Sequence, residues 1–123
     1  MVNPAGAENV TQGGFSVRAE THGKAVVLGV TGEVDMGTAP ELEESIKGAL
    51  ERGPEVLVVD LSGVTFLASA GMSVLIGGNQ QAADRTSMRL VATGNATLRP
   101  MELTGIAEEF SIHPTREQAL DGG

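Results

Sequence analysis

"AVVLGVTGEVDMGTAPELEESIKGALERGPEVLVVDLSGV", residues 25–64, decides the fold. Its first eight residues are a nearly continuous run of β-branched and aliphatic side chains, the composition of a central, doubly buried strand. From Glu33 the spacing changes to that of a helix over 33–53, with Leu42, Ile46, Ala49 and Leu50 on one face. Thr38 stands at the helix start and Pro40 fits its first turn. Glu41, three residues after Thr38, completes a capping box, and Gly53 closes the end. Residues 55–64 are again strand-like and apolar through Val59. Two buried strands one helix apart predict a β-α-β unit with a right-handed parallel crossover.

Upstream, "FSVRAET" (15–21) alternates apolar and polar, and "HGK" (22–24) reads as a tight turn, so a hairpin leads into the central strand. Residues 1–13 are small and polar, which predicts a disordered tail before one domain over 14–121. Downstream, a second helix is expected over 70–84 with Met72, Leu75, Ile76 and Ala83 inward. Its Gly77-Gly78 pair costs about 1 kcal/mol per glycine relative to alanine, for which close packing on a strand is one reason. A third parallel strand follows at 88–93, then a short helix within 95–106 capped by Asn95 and ended by Gly105. An edge strand at 109–113 and a terminal helix begun by Pro114 and Thr115 complete the chain. The order ββαβαβαβα predicts an α/β domain, a single mostly parallel mixed sheet of about five strands with about four helices.

Composition removes several functions. The formal net charge is −8, from 16 acidic and 8 basic residues, and the only aromatics are three phenylalanines. Phosphate neutralisation and base stacking are both poorly served, so no direct nucleic-acid binding is expected. With no cysteine there is no thiolate ligand or nucleophile. Two isolated histidines and the solvated row Glu41, Glu43 and Glu44 lack ligand spacing, so neither metal nor cofactor is expected. Nothing has the pattern of a signal peptide or the roughly 20 apolar residues of a membrane span, which predicts a cytoplasmic protein without membrane contact.

Functional groups of parallel α/β sheets gather beyond the carboxyl ends of strands. Two loops occupy that position side by side, "TGEVDMGTAP" (31–40) and "FLASAG" (66–71). The second places Ser69 at a strand-to-helix corner among Ala68, Ala70 and Gly71. A nucleophile elbow needs G-x-S-x-G, of which only the downstream half is present, and neither His22 nor His113 is placed as a base. A helix N-cap is the structural reading of Ser69, worth about 1 kcal/mol. The small neighbours support another, a hydroxyl kept uncovered so that a second protein can reach it. A phosphate there would meet the positive end of a helix.

These segments resemble the STAS-domain anti-sigma factor antagonists of bacteria. The likeness runs over about residues 14 to 120 and is carried by "TGEVDMGTAPEL" (31–42), "VVDLSGVTFLASAGMSVL" (58–75) and "LRPMELTGIAEEFSIHPTREQAL" (98–120). "FLASAG" and "RPMELTGI" are most similar to actinobacterial members. The resemblance implies a STAS fold and a non-enzymatic regulator. Such a protein binds an anti-sigma factor, usually a serine kinase of the GHKL ATPase type, and so frees a sigma factor. The kinase phosphorylates one serine, the antagonist lets go, and a serine phosphatase reverses the step. On the family's D-S-[ST]-G pattern, Ser69 takes the acceptor position and Gly71 matches. Ala68 replaces the acid and Ala70 the following hydroxyl residue. Asp35 matches the aspartate of the family's G-E-[LIV]-D loop. The implied partner surface is Asp35, Thr38, Ala68, Ser69, Ala70, Gly71 and Met72. The rival expectation is a STAS interaction module of a stress-signalling assembly in which Ser69 is never phosphorylated, which the missing acid at 68 favours.

Overall fold

The computed structural model describes residues 10–12 and 14–122. Its elements in chain order are β1 (Val10–Gln12), β2 (Phe15–His22), β3 (Ala25–Val34), α1 (Ala39–Glu51), β4 (Val56–Leu67), α2 (Ser69–Ala82), β5 (Ser87–Val91), α3 (Leu98–Leu103), a 3-10 turn (Ile106–Glu109), β6 (Ser111–His113) and α4 (Arg116–Asp121). The strands form one mixed sheet in the order β1-β2-β3-β4-β5-β6. The β1/β2 and β2/β3 pairs are antiparallel, and the three remaining pairs are parallel. The expected ββαβαβαβα order is therefore present, preceded by one further strand. That strand corrects the N-terminal expectation. Val10 pairs with Val17 and Gln12 with Phe15, so part of the anticipated tail is sheet. Residues 1–9 and 13 of it lie outside the described residues.

α1 and α2 cover one face of the sheet. Leu42, Ile46 and Ala49 from α1 and Leu75 and Ala82 from α2 meet Leu28, Val30, Leu57, Val59, Leu61 and Leu90 there, all buried. Each large aliphatic side chain so removed from water contributes about 1.5–3 kcal/mol. The opposite face carries a smaller cluster of Val27, Val58, Val91 and Ala119, covered by α4. Thr115 caps α4 by accepting the Gln118 N–H at 3.1 Å, in the expected place.

β4 continues three residues beyond the expected end at Val64. Its pairing with β3 slips twice, since Gly29 and Thr31 face Asp60 and Gly63, while Gly32 and Glu33 face Val64 and Phe66. Each slip places one extra residue on β4. Such bulges break the two-residue alternation, which is why the sequence pattern fades there and why Phe66 is exposed.

α2 starts one residue earlier than expected and buries Leu75 as expected, but turns small residues rather than Met72 and Ile76 fully inward. Gly71, Leu75, Gly78 and Ala82 are buried, whereas Met72 and Ile76 are half-buried. Ala83 lies beyond the helix, exposed and at φ 49°. The two adjacent glycines differ in kind. A Cβ on Gly78 would lie 2.9 Å from Ile46 Cγ2, with Met88 of β5 next, while one on Gly77 would meet nothing within 4 Å. The close approach is therefore to α1 first, and only Gly78 requires it. Gly77→Ala is expected to stabilise the fold by up to about 1 kcal/mol through helix propensity. Gly78→Ala is expected to destabilise it by about 1–3 kcal/mol through overpacking. Urea unfolding of the two variants gives midpoints displaced in opposite directions.

Asn95 does not cap α3. Thr97 occupies that position and spends its hydroxyl on the Thr93 carbonyl, while the Arg99 N–H bonds the Gly94 carbonyl. Gly105 ends the segment at φ 82°, as the sequence suggested.

Candidate functional site

Parallel pairing of β3 with β4 brings the 35–38 loop and the Ser69 corner together. Val34 pairs with Leu67, and the Val34 carbonyl accepts the Ala68 N–H at 2.8 Å. Gly71 completes the junction. A Cβ there would sit 2.5 Å from Val34 Cγ1 and 2.8 Å from Leu67 Cδ1. A β-branched neighbour has little rotamer freedom with which to retreat. Gly71→Ala is accordingly expected to push the first turn of α2 outward at a cost of about 1–3 kcal/mol. A fall in thermal midpoint, with exchange broadening confined to residues near 34 and 67–72, checks this.

The 35–38 loop is held by Asp35 rather than by the expected capping box. Asp35 Oδ1 accepts the N–H groups of Gly37 at 2.9 Å and Thr38 at 3.1 Å, and the Asp35 carbonyl accepts the Ala39 N–H at 2.8 Å. Thr38 turns its hydroxyl back into the loop, donating to the Glu33 carbonyl at 2.8 Å and accepting the Asp35 N–H at 2.9 Å. Thr38 thus occupies the N-cap position of α1 without side-chain capping. Glu41 does not reach back, and its Oε2 is buried without a hydrogen-bond partner. The loop is pre-set by its own hydrogen bonds, and its tip presents Met36, 83% exposed.

At the neighbouring corner Ala68, extended at φ −83° and ψ 169°, is the N-cap of α2, and Ser69 is the first helical residue. The capping interpretation of Ser69 is therefore overturned by one position. Its side chain is exposed and, among the described residues, makes no hydrogen bond. Ala68 and Ala70 are half-buried and Gly71 is buried, so none of them rises beside the hydroxyl. Neither histidine serves Ser69. His22 Nε2 lies 3.2 Å from Glu20 Oε1, and His113 Nε2 lies 2.9 Å from Ser111 Oγ. Met72, one turn into α2, is half-buried against the end of α3, where the Thr104 hydroxyl approaches its sulfur at 3.8 Å.

Three large apolar side chains among the described residues are exposed against expectation, namely Met36, Phe66 at 52% exposure and Leu103 at 70%. Met36 belongs to the Asp35 loop, Phe66 lies three residues before Ser69, and Leu103 precedes the threonine that touches Met72. The sequence carries no signal that sets them apart from core residues.

This fold and corner define a class. The STAS domain family model matches residues 16–119, and the chain belongs to that family. It is 36% identical over 108 residues to the anti-sigma-F factor antagonist RsfB of Mycobacterium tuberculosis, covering 88% of each chain. The anti-sigma-B factor antagonist of Listeria monocytogenes is 30% identical over 84 residues, covering 68% of this chain and 74% of the relative. Among solved structures, an anti-sigma factor antagonist from Mycobacterium paratuberculosis superimposes with a TM-score of 0.83 at 36% identity, over 98% of this chain and 96% of that one.

Proposed function

We propose that this protein is an anti-sigma factor antagonist that binds an anti-sigma factor, a serine kinase of the GHKL type, and thereby frees a sigma factor. It acts as a binding protein in the cytoplasm rather than as an enzyme. The observation that carries the proposal is the unbonded, exposed hydroxyl of Ser69 at the first residue of α2, in a bare corner beside the self-braced Asp35 loop. The relatives named above, which are antagonists of anti-sigma factors, supply the partner class. Asp35, Ala68, Ser69, Ala70, Gly71 and the half-buried Met72 form the docking surface, with Met36 and Phe66 adding apolar area. Thr38 contributes by holding the loop.

Ser69 is the regulatory acceptor. A phosphate there adds up to about two negative charges at a surface that must be desolvated for docking. The helix end tolerates the charge within the free protein, while a close-fitting partner does not. A serine phosphatase resets the switch. Ala68 favours a second reading, a STAS interaction module in a stress-signalling assembly with Ser69 left unmodified.

Intact-mass measurement after incubation with ATP and the host's candidate anti-sigma kinases separates the two. The expected result is one added phosphate that is absent in Ser69→Ala. Tight binding to such a kinase without phosphate would leave an antagonist governed by abundance. Capture of other STAS proteins alone would establish the second reading.

A further inference from the structure

The face of the sheet opposite α1 and α2 is only partly covered. α4 packs over β4, β5 and β6. Over β2, β3 and the middle of β4, the cover among the described residues is a single side chain, Arg116, beside a cavity of about 280 Å³. Two cross-strand rows make its floor, Arg18–Gly29–Asp60 and Ser16–Thr31–Gly63. Glycine keeps both rows low. A Cβ on Gly29 would lie 3.2 Å from the Arg116 guanidinium, and one on Gly63 would lie 2.7 Å from Thr31 Cγ2.

Three of the four charged groups in the walls are joined to one another, one cation between two carboxylates. Arg116 donates to Asp60 Oδ2 from Nε at 3.0 Å, with one terminal nitrogen 2.9 Å from the same oxygen, and donates from its other terminal nitrogen to Glu20 Oε1 at 3.3 Å. Asp60 Oδ1 accepts the Ser62 N–H at 2.9 Å. Arg18 is left over. It is exposed and, among the described residues, makes no hydrogen bond or ion pair, in a chain whose net charge is −8. Hydroxyls complete the lining. Ser16 Oγ and Thr31 Oγ1 share one hydrogen bond at 2.6 Å, which among the described residues leaves one of their protons free and the Ser62 hydroxyl without a partner.

We infer that this cavity binds a small hydroxylated monocarboxylate, an ion of the sugar-acid type. Arg18 offers the one guanidinium that no carboxylate among the described residues engages, so one carboxylate is matched. A dianion would place its second charge beside Glu20 and Asp60. Free hydroxyl donors and the unused lone pairs of Glu20 suit ligand hydroxyls, which both donate and accept. The volume accommodates roughly ten to fifteen heavy atoms, below the range of drug-sized pockets. The site lies on the sheet face opposite α1 and α2, the helix that Ser69 begins, and stands independently of the proposed function.

The test titrates the isotopically labelled full chain with sodium gluconate, against sodium chloride at equal ionic strength and against inorganic phosphate. Saturable amide shifts centred on residues 16, 18, 31, 62 and 63 are expected. Arg18→Gln, an exposed substitution that leaves the core intact, is expected to weaken binding at least tenfold, as loss of a charge-assisted hydrogen bond requires. Ser69→Ala should bind normally. Absence of saturable shifts, equal binding by Arg18→Gln, or tighter binding of phosphate at the same residues would each overturn the inference.

Discussion

Ser69→Asp is expected to weaken binding to the anti-sigma factor about 100-fold, with Ser69→Ala binding like the unmodified protein. An uncompensated charge carried into a desolvated contact costs several kcal/mol, and about 3 kcal/mol corresponds to that factor. Neither change should alter folding stability by more than about 0.5 kcal/mol. The hydroxyl makes no hydrogen bond among the described residues, and an acidic residue at the first position of α2 suits the helix dipole. Calorimetry of both variants with the partner, alongside their thermal unfolding, separates the two quantities. Equal affinities would remove Ser69 from the interface.

Arg116→Ala is expected to lower the unfolding free energy by about 2–3 kcal/mol. Asp60 is 7% exposed, and Arg116 is its only cationic partner among the described residues, so truncation strands a buried carboxylate. Breaking such a pair costs about 3–5 kcal/mol when both groups are buried. The Arg116 side chain is 35% exposed, which lets water enter and moves the cost downward. The double variant with Asp60→Ala should recover part of the loss, because no charge is then stranded.

The same cluster predicts a pH dependence. The hydrogen bond from His22, followed by the Arg116 charge, holds the Glu20 carboxyl below its ordinary 4.5. A depressed carboxylate pKa contributes stability that is complete above the unfolded value and is lost as pH falls through the folded one. The stability gap between wild type and Arg116→Ala should therefore narrow as pH drops below about 4.5. Urea unfolding across that window measures it.

The β-α-β unit was legible because its two strands are uninterrupted aliphatic runs and its helix carries a clean 3.6-residue stripe. At the start of α1, two side chains of the same chemistry competed for one role. Asp35 and Thr38 are both capping residues three positions apart, and only the turn geometry lets the carboxylate reach two N–H groups. Ser69 and Ala68 differ by one residue in helix start, which changes a structural hydroxyl into a free one. In α2, glycines at the packing positions hid the buried face, since periodicity counts large apolar groups and Gly71 and Gly78 offer none. The adjacency of the Asp35 loop and the Ser69 corner was legible, following from neighbouring parallel strands. Met36, Phe66 and Leu103 were not, because an apolar residue announces burial until its neighbours are known.

Strand order in space repeats strand order in the chain from β1 to β6. No strand inserts between two others already paired, so each newly made segment adds to the open edge of what precedes it. Loop-closure entropy is met one crossover at a time, which favours quick assembly for a protein with parallel pairing. Growth from the N-terminus during synthesis needs no rearrangement of earlier pairs. Once α4 is seated, Arg116 reaches back across 56 residues to Asp60 and 96 residues to Glu20. α4 thereby ties β2 to β4 across the middle of the sheet.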